Sequence, residues 1–101
     1  LQLLSAVEAC YEGSRARFHT SLYAADVLQA VKFLAMNLNP KRASLQPLDL
    51  VCAILASIAV KLNHDGLDDE FHIRARTALA TAFGDTSPTE SMHAASFLEL
   101  I

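Results

Sequence analysis

Phe18-His19-Thr20-Ser21-Leu22-Tyr23-Ala24-Ala25-Asp26-Val27 holds the change from loop to helix around which the rest of the chain is arranged. Tyr23, Val27, Ala30, Val31 and Leu34 recur at helical spacing, which predicts a helix over Ser21 to Met36. His19 follows a loop and precedes that helix, a position suited to an exposed reactive group. Upstream, Leu3, Leu4, Val7 and Tyr11 give Leu1 to Tyr11 the same period, and Glu12-Gly13-Ser14 stops it.

Downstream, Asn37 to Gln46 contains Pro40 and polar residues and reads as a loop. Pro47 opens a third helix at its first turn, where the missing N–H costs nothing. From Leu48 to Val60 that helix is apolar nearly all round, broken only by Asp49 and Ser57, so other helices are expected to enclose it. Asn63 to Gly66 breaks it. Asp68 or Asp69 can cap a fourth helix reaching about Phe83. Ser87-Pro88-Thr89-Glu90 has the order of a capping box and opens a fifth. The expected fold is all-α, with about five helices, and residues 1–101 form one domain. Four short neighbours barely cover so apolar a central helix, so partner helices are expected, later in the same chain or on another subunit. The start at Leu1, in mid-pattern and without methionine, is that expected of a fragment or a processed product.

Composition narrows the function classes. Of the 101 residues, 52% are hydrophobic, which is ample for a core and excludes a disordered chain. The net charge of -3 argues against a nucleic-acid partner, since the basic residues form only short groups at Arg15/Arg17, Lys41/Arg42 and Arg74/Arg76. The longest apolar run, Leu50 to Ala56, is far below the roughly 20 residues of a membrane span. Cys10 and Cys52 lie in apolar stretches without Cys-x-x-Cys spacing and are expected as buried free thiols, which suits a reducing, cytoplasmic setting.

The histidines, at positions 19, 64, 72 and 93, include no pair four apart as a helical metal pair would need. His64-Asp65 is a weak signal by itself. Spacing alone therefore specifies no enzyme.

A second stretch, Ala59-Val60-Lys61-Leu62-Asn63-His64-Asp65-Gly66, joins the first in a resemblance to the catalytic domain of class I 3′,5′-cyclic-nucleotide phosphodiesterases. In that family the two segments read close to Tyr-His-Asn-Ser-Leu-His-Ala-Ala-Asp-Val and Ala-His-Asp-Val-Asp-His-Pro-Gly. The resemblance continues nearly ungapped. Val7 to Tyr11 is similar to the family's preceding helix end, and Leu45-Gln46-Pro47-Leu48-Asp49 to its Leu-Thr-Pro-Leu-Asp. Phe71 and Ile73 match a hydrophobic pair, and Ser87, Glu90 and His93 are shared with its Ser-Val-Leu-Glu-Asn-His-His. The implied fold is a partial phosphodiesterase-like bundle of the HD type.

The resemblance places His19 on the family's general acid. It places Tyr23 on a metal-binding histidine, and Val60 and Lys61 on the His-Asp ligand pair. A phenol with a pKa near 10 is a poor ligand, valine is none, and an ammonium repels a dication. A two-metal hydrolase uses its ions to generate hydroxide and clamp phosphoryl oxygens. A slip of about 6 Å, one helical turn, would make His64-Asp65 the ligand pair, but Gly66, Phe71, Ile73 and Glu90 fit only without it. Lys61 has two readings: a snorkelling surface lysine, or a fixed positive charge replacing the metals, with Asp65 or Asp26 as partner.

These residues lead to the expectation of a catalytically inactive phosphodiesterase-like module, not an enzyme, acting as a structural or interaction subunit of a larger assembly. His19 is then a vestigial general acid, and no metal, cofactor or cyclic nucleotide is expected. The partners are other protein chains or missing helices. The alternative is an active hydrolase of cyclic AMP or cyclic GMP with a remodelled metal site.

Overall fold

The computed structural model describes residues 2–38 and 44–101. The described residues form six helices and no strand: α1 (Gln2–Glu12), α2 (Ser21–Met36), α3 (Pro47–Ala59), α4 (Asp69–Ala75), α5 (Ala78–Phe83) and α6 (Pro88–Leu100). The architecture is the all-α one expected. Leu1, Pro40 and the Lys41/Arg42 pair lie outside the described residues.

α2 and α3 pack against each other, and α6 touches α1, α3, α4 and α5. The core is small: Val7, Tyr11, Ala24 and Leu62, with Leu3, Cys10, Phe97 and Leu100 against them. The radius of gyration is 15.2 Å, whereas about 13 Å is usual for a closed domain of this length. The openness comes with uncovered apolar side chains. On α3, Leu48 is 71% exposed and Val51 50%; on α2, Leu34 is 64% exposed. The enclosure expected for α3 is thus absent among the described residues, where only Ser57 and Ala59 of this helix are buried. Cys52 is exposed on the same helix and Cys10 half-buried, so the buried-thiol expectation is corrected.

Three side chains hold the segment that follows α3. The Tyr11 hydroxyl donates to the Ile58 carbonyl at 2.8 Å and accepts from the Lys61 N–H at 3.3 Å. The Ser14 hydroxyl donates to the His64 carbonyl. His93 Nδ1 donates to the Leu62 carbonyl. Between these ties Leu62 is fully buried. Asn63 takes a left-handed φ of 58°, a conformation that Asn tolerates better than most residues, and Gly66 one of 86°.

α3 starts as its sequence predicts, with Pro47 in the first turn; a contact the sequence reading did not name adds to it, the Asp49 carboxylate accepting from the Gln46 N–H at 3.1 Å. The expected fourth helix is two. Asp68 caps α4 by accepting from the Phe71 N–H at 2.8 Å, but Arg76 turns left-handed at φ 50° and Thr77 caps α5 anew. The Thr77 hydroxyl also lies 2.7 Å from Nδ1 of buried His72, whose Nε2 is 3.0 Å from Asp65. The capping box at Ser87 does not form. Ser87 is left-handed, at φ 48°, whereas a capping side chain needs an extended backbone. Asp69, from α4, takes over and accepts from the Thr89 N–H at 3.0 Å.

Removing the Tyr11 hydroxyl leaves two backbone groups without their partner. Tyr11→Phe is expected to lower unfolding free energy by about 1–2 kcal/mol in urea denaturation. The Thr89 hydroxyl and N–H hold the Asp69 carboxyl below its ordinary range. Its contribution is therefore present above the unfolded value near 3.9 and lost as pH falls through the lower folded value. Asp69→Ala is expected to cost roughly 0.5–2 kcal/mol at neutral pH, with the gap to wild type closing as titrations go down from the unfolded value through the lower folded one.

Candidate functional site

His19 precedes the first turn of α2, and its ring touches two aromatic neighbours. Tyr23, one turn on, is edge-on at 5.0 Å between centroids, and Phe18 is edge-on at 5.2 Å. On its other side lies His64 at 4.4 Å, and behind that His93 from α6, stacked at 5.4 Å with planes 23° apart. Residues 45 and 74 positions from His19 thus meet it in one row of imidazoles. The ties on the segment after α3 make this possible, because they fix where His64 leaves the backbone.

The hydrogen bonds decide which nitrogens carry protons. His64 Nδ1 accepts from the Gly66 N–H at 2.8 Å, so the neutral ring keeps its proton on Nε2. A carbonyl only accepts, so His93 carries its proton on Nδ1. His93 Nε2 is buried with no hydrogen-bond partner.

All three rings are held below the usual imidazole pKa, first by desolvation. Lys61 adds to this for each of them. His64 also feels its two imidazole neighbours, against a rise from Asp65. For His93, the Leu62 carbonyl and Glu90 oppose the lowering. One ammonium therefore acts on three neutral rings.

Lys61 is half-buried. Val60, Lys61, Glu90 and His93 line one end of a groove of about 530 Å³ between α3 and α6, whose remaining wall is largely apolar. The carboxylates expected to face Lys61 do not pair with it. Asp65 lies against His72 and accepts from the Leu67 N–H, and Asp26 is exposed. Among the described residues the ion pair between fixed charges is Arg74–Glu70, and His72 Nε2 lies 3.0 Å from the Asp65 carboxylate.

The same contacts keep Asp65 turned away as the partner of a slipped His64-Asp65 pair. Tyr23 offers a phenol against His19, Val60 an alkyl group and Lys61 a cation. Among the described residues no three His, Cys, Asp or Glu side chains converge as ligands would. Stacked rings, with one Nδ1 accepting from Gly66 and another donating to Leu62, do not fit a two-metal shell built from these residues alone. His19 and Tyr23 were legible as neighbours one turn apart. The approach of His64 and His93 was not, although both stand at histidine positions of the resembled family.

No described helix is long and apolar enough to cross a membrane. The sequence model of the 3′,5′-cyclic nucleotide phosphodiesterase family matches residues 18–101. The human high affinity cAMP-specific and IBMX-insensitive 3′,5′-cyclic phosphodiesterase 8A is 34% identical over 96% of this chain and 12% of its own length. A probable 3′,5′-cyclic phosphodiesterase of Caenorhabditis elegans, pde-1, is 29% identical over 97% of the chain and 15% of its own. A 3′,5′-cyclic-AMP phosphodiesterase of Drosophila melanogaster, isoform F, is 32% identical over 83% and 12%. The chain thus spans roughly an eighth of the curated relatives it matches. The expectation of a non-enzyme is overturned here: the relatives are named as phosphodiesterases, and the similarity is to an enzyme family.

Because the imidazoles have lowered folded-state values, the unfolded chain takes up protons first as pH falls. Their contribution is intact above about 6.5 and declines as pH drops toward the folded values. The melting temperature is expected to be higher near pH 7.5 than near pH 5.5, and His93→Gln to flatten that dependence in thermal melts.

Proposed function

From a chain that belongs to the 3′,5′-cyclic nucleotide phosphodiesterase family, we propose a role as part of a domain that hydrolyses 3′,5′-cyclic nucleotides, with His19 as proton donor. The observation that carries this is the position of His19. It stands half-exposed at the front of the imidazole row, while His64 and His93 behind it are buried. In the reaction a water oxygen bonds to phosphorus as the water gives up a proton to solvent, the P–O3′ bond breaks, and His19, in its protonated form, gives its proton to the departing O3′. Partial desolvation and, after it, Lys61 lower the His19 pKa, so the ring is mostly neutral at rest and its protonated form is the stronger acid.

Any metal ligands of such a domain come from outside the described residues, since the donor set here does not fit them. A cyclic nucleotide replaces the earlier expectation of none. The uncovered faces of α2 and α3 support further helices of the same protein as the partners that complete the domain.

The test is hydrolysis of cyclic AMP and cyclic GMP by the full-length protein. Turnover is expected, and His19→Gln is expected to lower kcat by roughly 10²–10⁴-fold with little change in KM. Absence of turnover by the folded full-length protein, or an unchanged kcat in the variant, overturns the proposal.

A further inference from the structure

We propose that His72 is a positioning residue for His19. Through Asp65 it fixes the turn from His64 to Leu67, and with it the place of the His64 ring against His19. This rests on the reading of His19 as proton donor, and it names a residue that aligns the donor without touching it.

The turn has two inner bonds. His64 Nδ1 accepts from the Gly66 N–H at 2.8 Å, and the Asp65 carboxylate accepts from the Leu67 N–H at 2.9 Å. One side of the turn is set by the loop that leads to His19. There the Ser14 hydroxyl donates to the His64 carbonyl, and a Cβ on Gly66 would lie 3.8 Å from Cα of Ala16. The other side is set by His72, on α4. Its buried Nε2 lies 3.0 Å from Asp65 and has no other polar partner among the described residues. A carboxylate only accepts, so Nε2 carries a proton whether the ring is neutral or charged.

The far edge of the His72 ring is held as well. Nδ1 is 2.7 Å from the Thr77 hydroxyl, and Phe71 stands perpendicular to the ring at 5.7 Å between centroids. The side chain of His72 is 3% exposed and that of Asp65 39%. His72 therefore has no room to follow, whereas Asp65 turns to solvent once its partner is removed. The charged groups near His72 are Asp65 and Asp69, the latter bonded to Thr89. Those facing His64 are His19, His93, Lys61 and Asp65, and burial is the main cause of its lowered pKa. A loosened turn lets water reach the ring, so its titration moves up.

The experiment is NMR of the full chain with carbon-labelled histidine rings. His72→Leu fills the buried place with an apolar group but donates nothing to Asp65. His72→Gln keeps an N–H near the position of Nε2. In the Leu variant the cross-peaks between the His19 and His64 rings are expected to weaken, and His64 to titrate closer to the ordinary imidazole range. In the Gln variant both are expected to stay near wild type. Asp65→Ala is expected to weaken the same cross-peaks, and adding His72→Leu to it to bring no further loss, as for a residue that acts through another. Unchanged cross-peaks in folded His72→Leu, a Gln variant no better than the Leu one, or additive losses in the double variant would each overturn the inference. Should His72→Leu fail to fold, Asp65→Ala decides, and unchanged cross-peaks there also overturn it. In cyclic-nucleotide hydrolysis His72→Leu is expected to lower kcat roughly 10- to 100-fold with little change in KM. Absence of turnover in the wild type counts against the proposed function, while the ring contacts still decide the role of His72.

Discussion

Everything at the candidate site depends on how the chain leaves α3. A helix end exposes backbone groups that have lost their partners in the next turn, and here side chains from two other helices and a loop take them up. Tyr11 is the central one. Its hydroxyl holds a carbonyl inside α3 and an N–H just past its end. Ser14 and His93 hold the next carbonyls, and Leu62 is buried between them. Each tie contributes little alone, because folding exchanges bonds to water for bonds to protein. Together they fix a segment that carries Lys61 and His64 with no regular structure of its own.

The same constraint sets the electrostatics. Desolvated imidazoles resist charge, and an ammonium nearby resists it further. Neutral rings can then lie against one another, His64 tilted by 34° against His19 and stacked on His93. Were they protonated together, like charges would be pressed to ring-contact distance in a poorly solvated place. The fold thus favours one charged group, Lys61, with neutral neighbours around it.

Helix starts marked by local chemistry were legible in the sequence. Pro47 at the first turn of α3, and Asp68 before α4, did what their types allow. The signals failed where the backbone takes a conformation that the residue type does not announce. Arg76 in the left-handed region divides one expected helix into two, and Ser87 in the same region cannot aim its hydroxyl down its own helix. Asp69 then caps α6 across a gap of 20 residues, which no local motif describes. The apolar face of α3 was legible as a face but not as an uncovered one. Coverage is a property of neighbours, and the described residues bury little of it.

The site divides along the same line. His19, just before α2, and Tyr23, in its first turn, are near neighbours in the chain, so their contact is a local one. His64 and His93 join them only because the ties on Leu62 and Ile58 bring a turn and a distant helix together. Lys61 shows the consequence. By sequence it was either a snorkelling surface lysine or a fixed charge in place of the metals, and pairing with Asp65 or Asp26 would have neutralised it. Asp65 is instead spent on His72, which leaves the ammonium facing imidazoles. With that carboxylate turned away, the ammonium adds to the desolvation that holds the three rings below the usual imidazole range.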